Sequence, residues 1–259
     1  MKKLHLNILF IGLLLTFSAG AQEAIVLLGS GTVQDRLIKP TSDLLLERTG
    51  INIQTNGVGT GKGLVMMLTG KSKYHVSMAS SPLTTAISAA TKAYGKELPD
   101  TSRLQIHVLG GDVILPIVHK DNPVESLTWE QLKDIHTGKI TNWKEVGGDD
   151  MPVMVLTSHK GSATREIFQK QVMKKQPYIE NAKVVSHTRF ELNLTVQNKN
   201  AIGAVSQVFY DQFPEKEMIK IIKADPITRP LSFITNGDPE PEIQTLIDFY
   251  RSEEVQKML

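Results

Sequence analysis

The chain has 259 residues, 41% of them hydrophobic and 22% charged, a composition that suits one large or two small globular domains. It has no cysteine, which excludes disulfides, thiol chemistry and lipid attachment at a cysteine. Residues 1–21 hold two of the 29 basic residues and none of the 27 acidic ones, so the rest of the chain balances at 27 of each and offers no basic surface for nucleic acid.

Lys2 and Lys3 precede an apolar run, Ile8 to Phe17, that is too short to span a bilayer. The small residues Ser18-Ala-Gly-Ala21 follow at once. This pattern predicts a secretory signal peptide cut after Ala21. Ile25 to Leu28 reads as a strand buried on both faces, ending in the turn Gly29-Ser-Gly-Thr-Val33. A mostly helical run, Val33 to Arg48, comes next, and Pro40 inside it predicts a kink or a restart capped by Thr41 or Ser42. Ile51 and Ile53 alternate with polar residues as in a second strand.

The turn Gly57-Val-Gly-Thr-Gly-Lys-Gly63 fails both phosphate-loop patterns. Asn56 stands where a P-loop needs its first glycine, and Lys62 and Leu64 occupy the third glycine of a dinucleotide fingerprint in its two registers. It is read as a glycine turn feeding a short helix, Leu64 to Thr69. Tyr74 to Ala79 alternates as a strand that ends in Ser80-Ser81-Pro82, and Thr84 to Tyr94 reads as a helix. Ile106 to His119 is a long β-rich run broken by Gly110-Gly111, suited to a crossover between two lobes.

Leu127 to Gly138 carries the clearest helix signals. Thr128 and Gln131 form a capping box, Leu127 and Leu132 a hydrophobic staple, and Gly138 a stop. Trp129 and Trp143 are expected to pack. Val153 to Leu156 is a strand leading into Ser158-His-Lys-Gly-Ser-Ala-Thr-Arg165, with a helix from Glu166 beyond it. Gly161 permits a sharp turn, and the first N–H groups of the helix lack intrahelical partners and sit at the positive end of its dipole. Ser162 and Thr164 add hydroxyls, Lys160 and Arg165 full charges, and together these suit a small oxyanion. Simple capping by Ser162 or Thr164 is the competing reading. Lys183 to Ser186, Ala201 to Ser206, Ile219 to Ile222 and Leu231 to Thr235 read as strands, and Phe190 to Asn198 as a helix. A last helix has Ile243, Leu246, Ile247 and Tyr250 at core spacing. The alternation of strands and helices predicts an α/β fold with largely parallel sheets.

No catalytic constellation emerges. The six histidines beyond the signal segment form no His-Glu-x-x-His pair, and there is no nucleophile elbow or Ser-x-x-Lys pair. His159 stands too close to Ser162 in a tight turn to build a triad. No metal or cofactor is expected.

The order of these motifs resembles the PstS-like family of periplasmic phosphate-binding proteins across nearly the whole chain beyond residue 21. The resemblance is carried by Leu127-Thr-Trp-Glu-Gln-Leu132, Gly138-Lys-Ile-Thr-Asn-Trp-Lys-Glu-Val-Gly-Gly148, Gly161-Ser-Ala-Thr-Arg165 and Ala201-Ile-Gly203. It implies a periplasmic-binding-protein fold of two α/β lobes, each a mostly parallel sheet flanked by helices, with the ligand in the cleft between them. The expected lobes are 22–106 with 206–259, and 107–205. By position, Thr32 and Val33, Thr60 and Gly61, Ser80 and Ser81, and Gly161, Ser162, Ala163 and Thr164 become candidate anion ligands. Arg165 is placed to contact the anion or to pair within the cleft wall, and Lys160 to supply positive charge. The family's aspartate after the Ala-Ser pair is absent, since the segment reads Ala79-Ser80-Ser81-Pro82. The resemblance implies a monomeric periplasmic protein, not an enzyme, that captures inorganic phosphate for an ABC-type importer. The alternatives are a binder of another oxyanion or small phosphorylated ligand, or a sensor or interaction protein on the same fold.

Overall fold

The computed structural model describes residues 24–71 and 76–258. The expected signal peptide and the first residues of the strand expected from Tyr74 lie outside the described residues. The first half of the chain lays down β1 (Ile25–Gly29), α1 (Gly31–Val33), α2 (Lys39–Thr49), β2 (Ile53–Asn56), α3 (Thr60–Leu68), β3 (Val76–Ala79) and α4 (Leu83–Tyr94). The 16-residue strand β4 (Leu104–His119) then crosses to the second half. That half holds α5 (Trp129–Thr137), β5 (Met154–Ser158), α6 (Ala163–Gln171), β6 (Lys183–Val185), α7 (Phe190–Gln197), β7 (Ala201–Ser206), α8 (Gln207–Asp211) and β8 (Ile219–Ile221). The long strand β9 (Ile227–Asn236) returns to the first half, where α9 (Pro241–Arg251) and α10 (Glu253–Gln256) close the chain.

One sheet runs through both lobes in the order β2-β1-β3-β9-β4-β7-β5-β6, with β8 paired to β4. Pairing is parallel within the outer parts, β1 with β2 and β3, and β5 with β6 and β7. It is antiparallel through the centre, where β9 pairs β3 and β4, and β4 pairs β7 and β8. The sheet is therefore mixed rather than largely parallel, because the two crossover strands run in opposite directions side by side.

Each lobe has its own apolar core. Leu27, Val33, Leu37, Met78, Phe233, Leu246 and Tyr250 pack together in the first. Leu132, Trp143, Phe168 and Ile202 pack together in the second. Residues expected to rejoin the first lobe from 206 onward behave otherwise: Phe209 and Ile219 pack with Leu192 and Val205, and Ile222 and Ile227 with Trp143 and Phe168. The chain returns only along β9, because the strand ending at Ser206 belongs to the second lobe's sheet.

Local signals explain most boundaries. Thr128 accepts from the Gln131 N–H, Gln131 answers to the Thr128 N–H, and Gly138 ends α5 in the left-handed region at φ 83°. Pro40 does not break its helix. The turn Gln34–Ile38 is π-helical, and the Thr41 hydroxyl donates to the Leu37 carbonyl at 2.7 Å instead of capping a new start. The helix α3 begins at Thr60, a full turn before the expected Leu64. Gly61 and Gly63 lie inside it because a Cβ at Gly61 would meet the Ala89 carbonyl oxygen at 2.5 Å and one at Gly63 the Gly29 Cα at 2.3 Å. Both glycines serve close packing of α3 on α4 and β1.

Candidate functional site

Three helix starts converge. The helix that begins at Gly31, α3 at Thr60 and α6 at Ala163 all follow strand ends, and the first residues of all three line one small cavity of about 30 Å³ between the lobes. Ser30, Thr32, Thr60, Ser80, Ser162, Thr164 and Thr188 supply its hydroxyls, with Gly31, Gly59 and Ala163 leaving backbone within reach. Phe209 supplies an apolar wall. These hydroxyl residues are all at least nine-tenths buried. Such a cavity has room for a small polar species and unpaired helix dipoles on three sides favour negative charge.

Hydroxyl partners decide which way each O–H points. Ser162 stands at the N-cap of α6, yet its side chain makes no capping bond. Its Oγ faces the cavity and lies 3.3 Å from Thr188 Oγ1. The capping reading therefore fails for Ser162, and it fails for Thr164, which lies inside the helix. Ser30, by contrast, does cap, accepting from the Val33 N–H at 3.3 Å, while its own proton goes to Ser80 Oγ at 2.9 Å.

Arg229 and Asp112 are among the site residues that the sequence reading missed, together with Ser30, His187, Thr188 and Phe209 of the lining. They are register partners on β9 and β4, and both side chains are fully buried. Asp112 Oδ2 accepts from Arg229 Nε at 2.8 Å, and its Oδ1 accepts from Ser206 Oγ at 2.8 Å. The guanidinium then donates to Thr164 Oγ1 at 2.9 Å and to Thr32 Oγ1 at 3.0 Å. One planar group thus fixes a hydroxyl from each lobe. Because each threonine oxygen accepts from Arg229, each keeps its own proton for a ligand in the cavity. The available signal was an aspartate inside the long β-rich run, where an unpaired buried charge is costly and calls for a cationic partner.

His159 and His187 complete the wall. Burial pushes both imidazoles below their ordinary value; Lys62 adds to this at His159 and Arg189 at His187, with the Ser186 and Gly57 backbones opposing weakly. Both are therefore neutral at neutral pH and bring hydrogen-bonding capacity without charge. Neither ring nitrogen of His159 has a well-formed bond to a described residue.

Of the twelve candidates, Thr32, Thr60, Ser80, Ser162, Ala163 and Thr164 line the cavity. The other six stand outside its lining. The Val33 N–H is taken by Ser30. The Gly61 N–H donates to the Gly161 carbonyl at 3.3 Å, so these two glycines join the lobes. Ser81 is buried and is not part of the lining. Lys160 is exposed. Arg165 pairs within the wall, donating to Thr157 Oγ1 at 3.2 Å and to the Ser158 carbonyl at 3.0 Å, with its guanidinium 4.4 Å from the Tyr178 ring centre.

Residues 17–254 match the PBP superfamily domain. The chain is 28% identical over 200 residues to the phosphate-binding protein PstS of Staphylococcus epidermidis. That match covers 75% of this chain but only 57% of the relative's length. The fold is similar, at TM-score 0.75 and 28% identity, to a Clostridium perfringens structure described as a phosphate ABC transporter substrate-binding protein with bound phosphate, covering 91% of this chain and 96% of that one. It is also similar, at TM-score 0.65 and 26% identity, to an ABC-type phosphate transport receptor from Vibrio cholerae, covering 90% and 96%.

Proposed function

The chain belongs to the PBP superfamily, and on that premise we propose that it is a periplasmic binding protein that captures inorganic phosphate between its lobes. In this reading it hands the ion to an ABC-type importer, works as a monomer, and is released into the periplasm by cleavage after Ala21. The observation that carries it is the bridge from Arg229 to Thr32 and Thr164. It fixes donors from both lobes around a cavity already ringed by three helix starts. Hydrogen bonds to a charged group contribute about 1.5–3 kcal/mol each, so several together support micromolar binding or tighter. Among the described residues no cluster of His, Asp or Glu is placed to hold a metal, so the donors named here would carry the binding.

The lining holds no carboxylate, which favours a second reading in which sulfate is also accepted. The site assignment is tested by the double variant Ser162→Ala with Thr164→Ala. Phosphate affinity measured by calorimetry drops at least tenfold while the circular dichroism spectrum is unchanged. Unaltered affinity would remove these residues from the site.

A further inference from the structure

Phosphate near neutral pH keeps a P–O–H proton that sulfate lacks. A cradle made only of donors holds both anions, and one that offers an acceptor leaves that acceptor unpaired against sulfate. The cavity wall contains no carboxylate, but a buried carboxylate lies behind it. Glu191, in the first turn of α7, is 2% exposed. Its Oε2 accepts from the Ala204 N–H at 2.9 Å and its Oε1 from Ser158 Oγ at 2.9 Å. Ser158 Oγ is in turn 2.6 Å from Thr188 Oγ1, and Thr188 Oγ1 is 3.3 Å from Ser162 Oγ. Thr188 and Ser162 both line the cavity.

The direction of this chain follows from what each group can do. An ionised carboxylate only accepts, so the Ser158 proton points to Glu191. Ser158 then accepts from Thr188, and Thr188 presents a lone pair on the cavity side. We propose that Glu191 is a positioning residue for anion selectivity: through Ser158 it turns the Thr188 and Ser162 oxygens into acceptors for the P–O–H proton. This inference rests on the phosphate reading above.

Burial raises the Glu191 carboxyl to about 7, against the Ala204 N–H, Ser158 and the Arg165 guanidinium, which favour its charged form. Tyr178, His136 and Arg165 face it around a narrow internal pocket, and His159 and His187 stand beyond the hydroxyls. The polarity of the relay is therefore tied to pH. Below about 7 a protonated Glu191 becomes a donor and releases Ser158 to point the other way.

The test is titration of anion-stripped wild type, Glu191→Gln and Ser158→Ala with phosphate and with sulfate, at pH 6 and pH 8. Wild type is expected to prefer phosphate at pH 8 by roughly tenfold or more, with a smaller ratio at pH 6. Both variants are expected to lose that preference and its pH dependence, with sulfate affinity changed by less than about threefold. Ser158→Ala leaves the carboxylate in place, so it decides the matter if Glu191→Gln does not fold. Folded variants that keep the wild-type ratio overturn the relay, as does a wild type that binds both anions equally. A wild type that binds neither overturns the phosphate reading and the relay with it.

Discussion

Arg229 shows how much can rest on one buried side chain. It satisfies Asp112 and two threonines at once, and all of these groups are at least nine-tenths buried. Truncation to methionine leaves Asp112 as an unpaired buried charge, which costs about 3–5 kcal/mol. Arg229→Met is therefore expected to lose that much stability in urea melts and to lose phosphate binding. Arg229→Lys keeps the charge but has no planar fork to serve both threonines, and is expected to fold while binding phosphate at least tenfold more weakly. Lysine at wild-type affinity would mean that the two threonines need no bridge. Glu191 and His136 act on stability in opposite directions. The fold raises Glu191 from 4.5 to about 7, so its protonated form is favoured and its stability contribution is lost as pH rises through that window. The fold lowers His136 from 6.5 to about 4 by burial, so its contribution is lost as pH falls through that range. Each shift corresponds to about 3 kcal/mol, and in wild type the two pH slopes oppose one another. Glu191→Gln is expected to gain about 3 kcal/mol over wild type between pH 4.5 and pH 7, read from urea melts at successive pH. A constant difference across that range would contradict the buried, ionising carboxylate.

The elements that bring ligands together differ in how readable they were. Thr32, Thr60, Ser162 and Thr164 sit in local strand–turn–helix patterns, and a turn announces itself by glycine and hydroxyl residues within a few positions. The capping box of α5 and the core stripe of α9 are equally local. Thr188, His187 and Glu191 enter the site from a segment with no such pattern, and only the packing of α7 on β7 brings them there. Arg229 was lost for a related reason. Its strand was expected from Leu231, so an arginine two residues earlier looked like loop, whereas pairing with β4 extends β9 back to Ile227. Glycines misled in the other direction, because Gly61 and Gly63 read as a turn ahead of a helix from Leu64 and instead lie inside that helix, where they permit close packing. Gly161 joins the two effects. Its φ is 89°, and a Cβ there would lie 2.9 Å from the Ala93 Cβ across the lobe boundary. Gly161→Ala is expected to cost about 1–2 kcal/mol of stability from backbone strain. It is also expected to weaken phosphate binding at least tenfold, since the lobes can no longer meet at the Gly61–Gly161 contact. Retained affinity in a folded Gly161→Ala protein would show that closure at this point is dispensable.

At the scale of the whole molecule the two lobes touch directly across the cleft. Lys92 pairs with Glu166 and Arg189 with Asp35 across the cleft, beside the Arg229 bridge and the Gly61–Gly161 bond. The two crossover strands β4 and β9 pair side by side between the lobes, and Asp112 and Arg229 lie opposite one another on them, so the residues that hold these strands in register also orient the hydroxyls. With acidic and basic residues equal in number beyond residue 21, no net field draws an anion in, and the proposed capture relies on local donors. The fold class and the two-lobed plan could be read from the order of motifs. The continuity of the sheet and the late return of the chain could not, because both depend on pairings between distant strands. The most direct test of the account is calorimetric titration of the anion-stripped protein, residues 22–259, with inorganic phosphate. The account predicts one ion bound per chain at micromolar affinity or tighter, with a melting temperature that rises as phosphate is added. Absence of both binding heat and phosphate-induced stabilisation would contradict it.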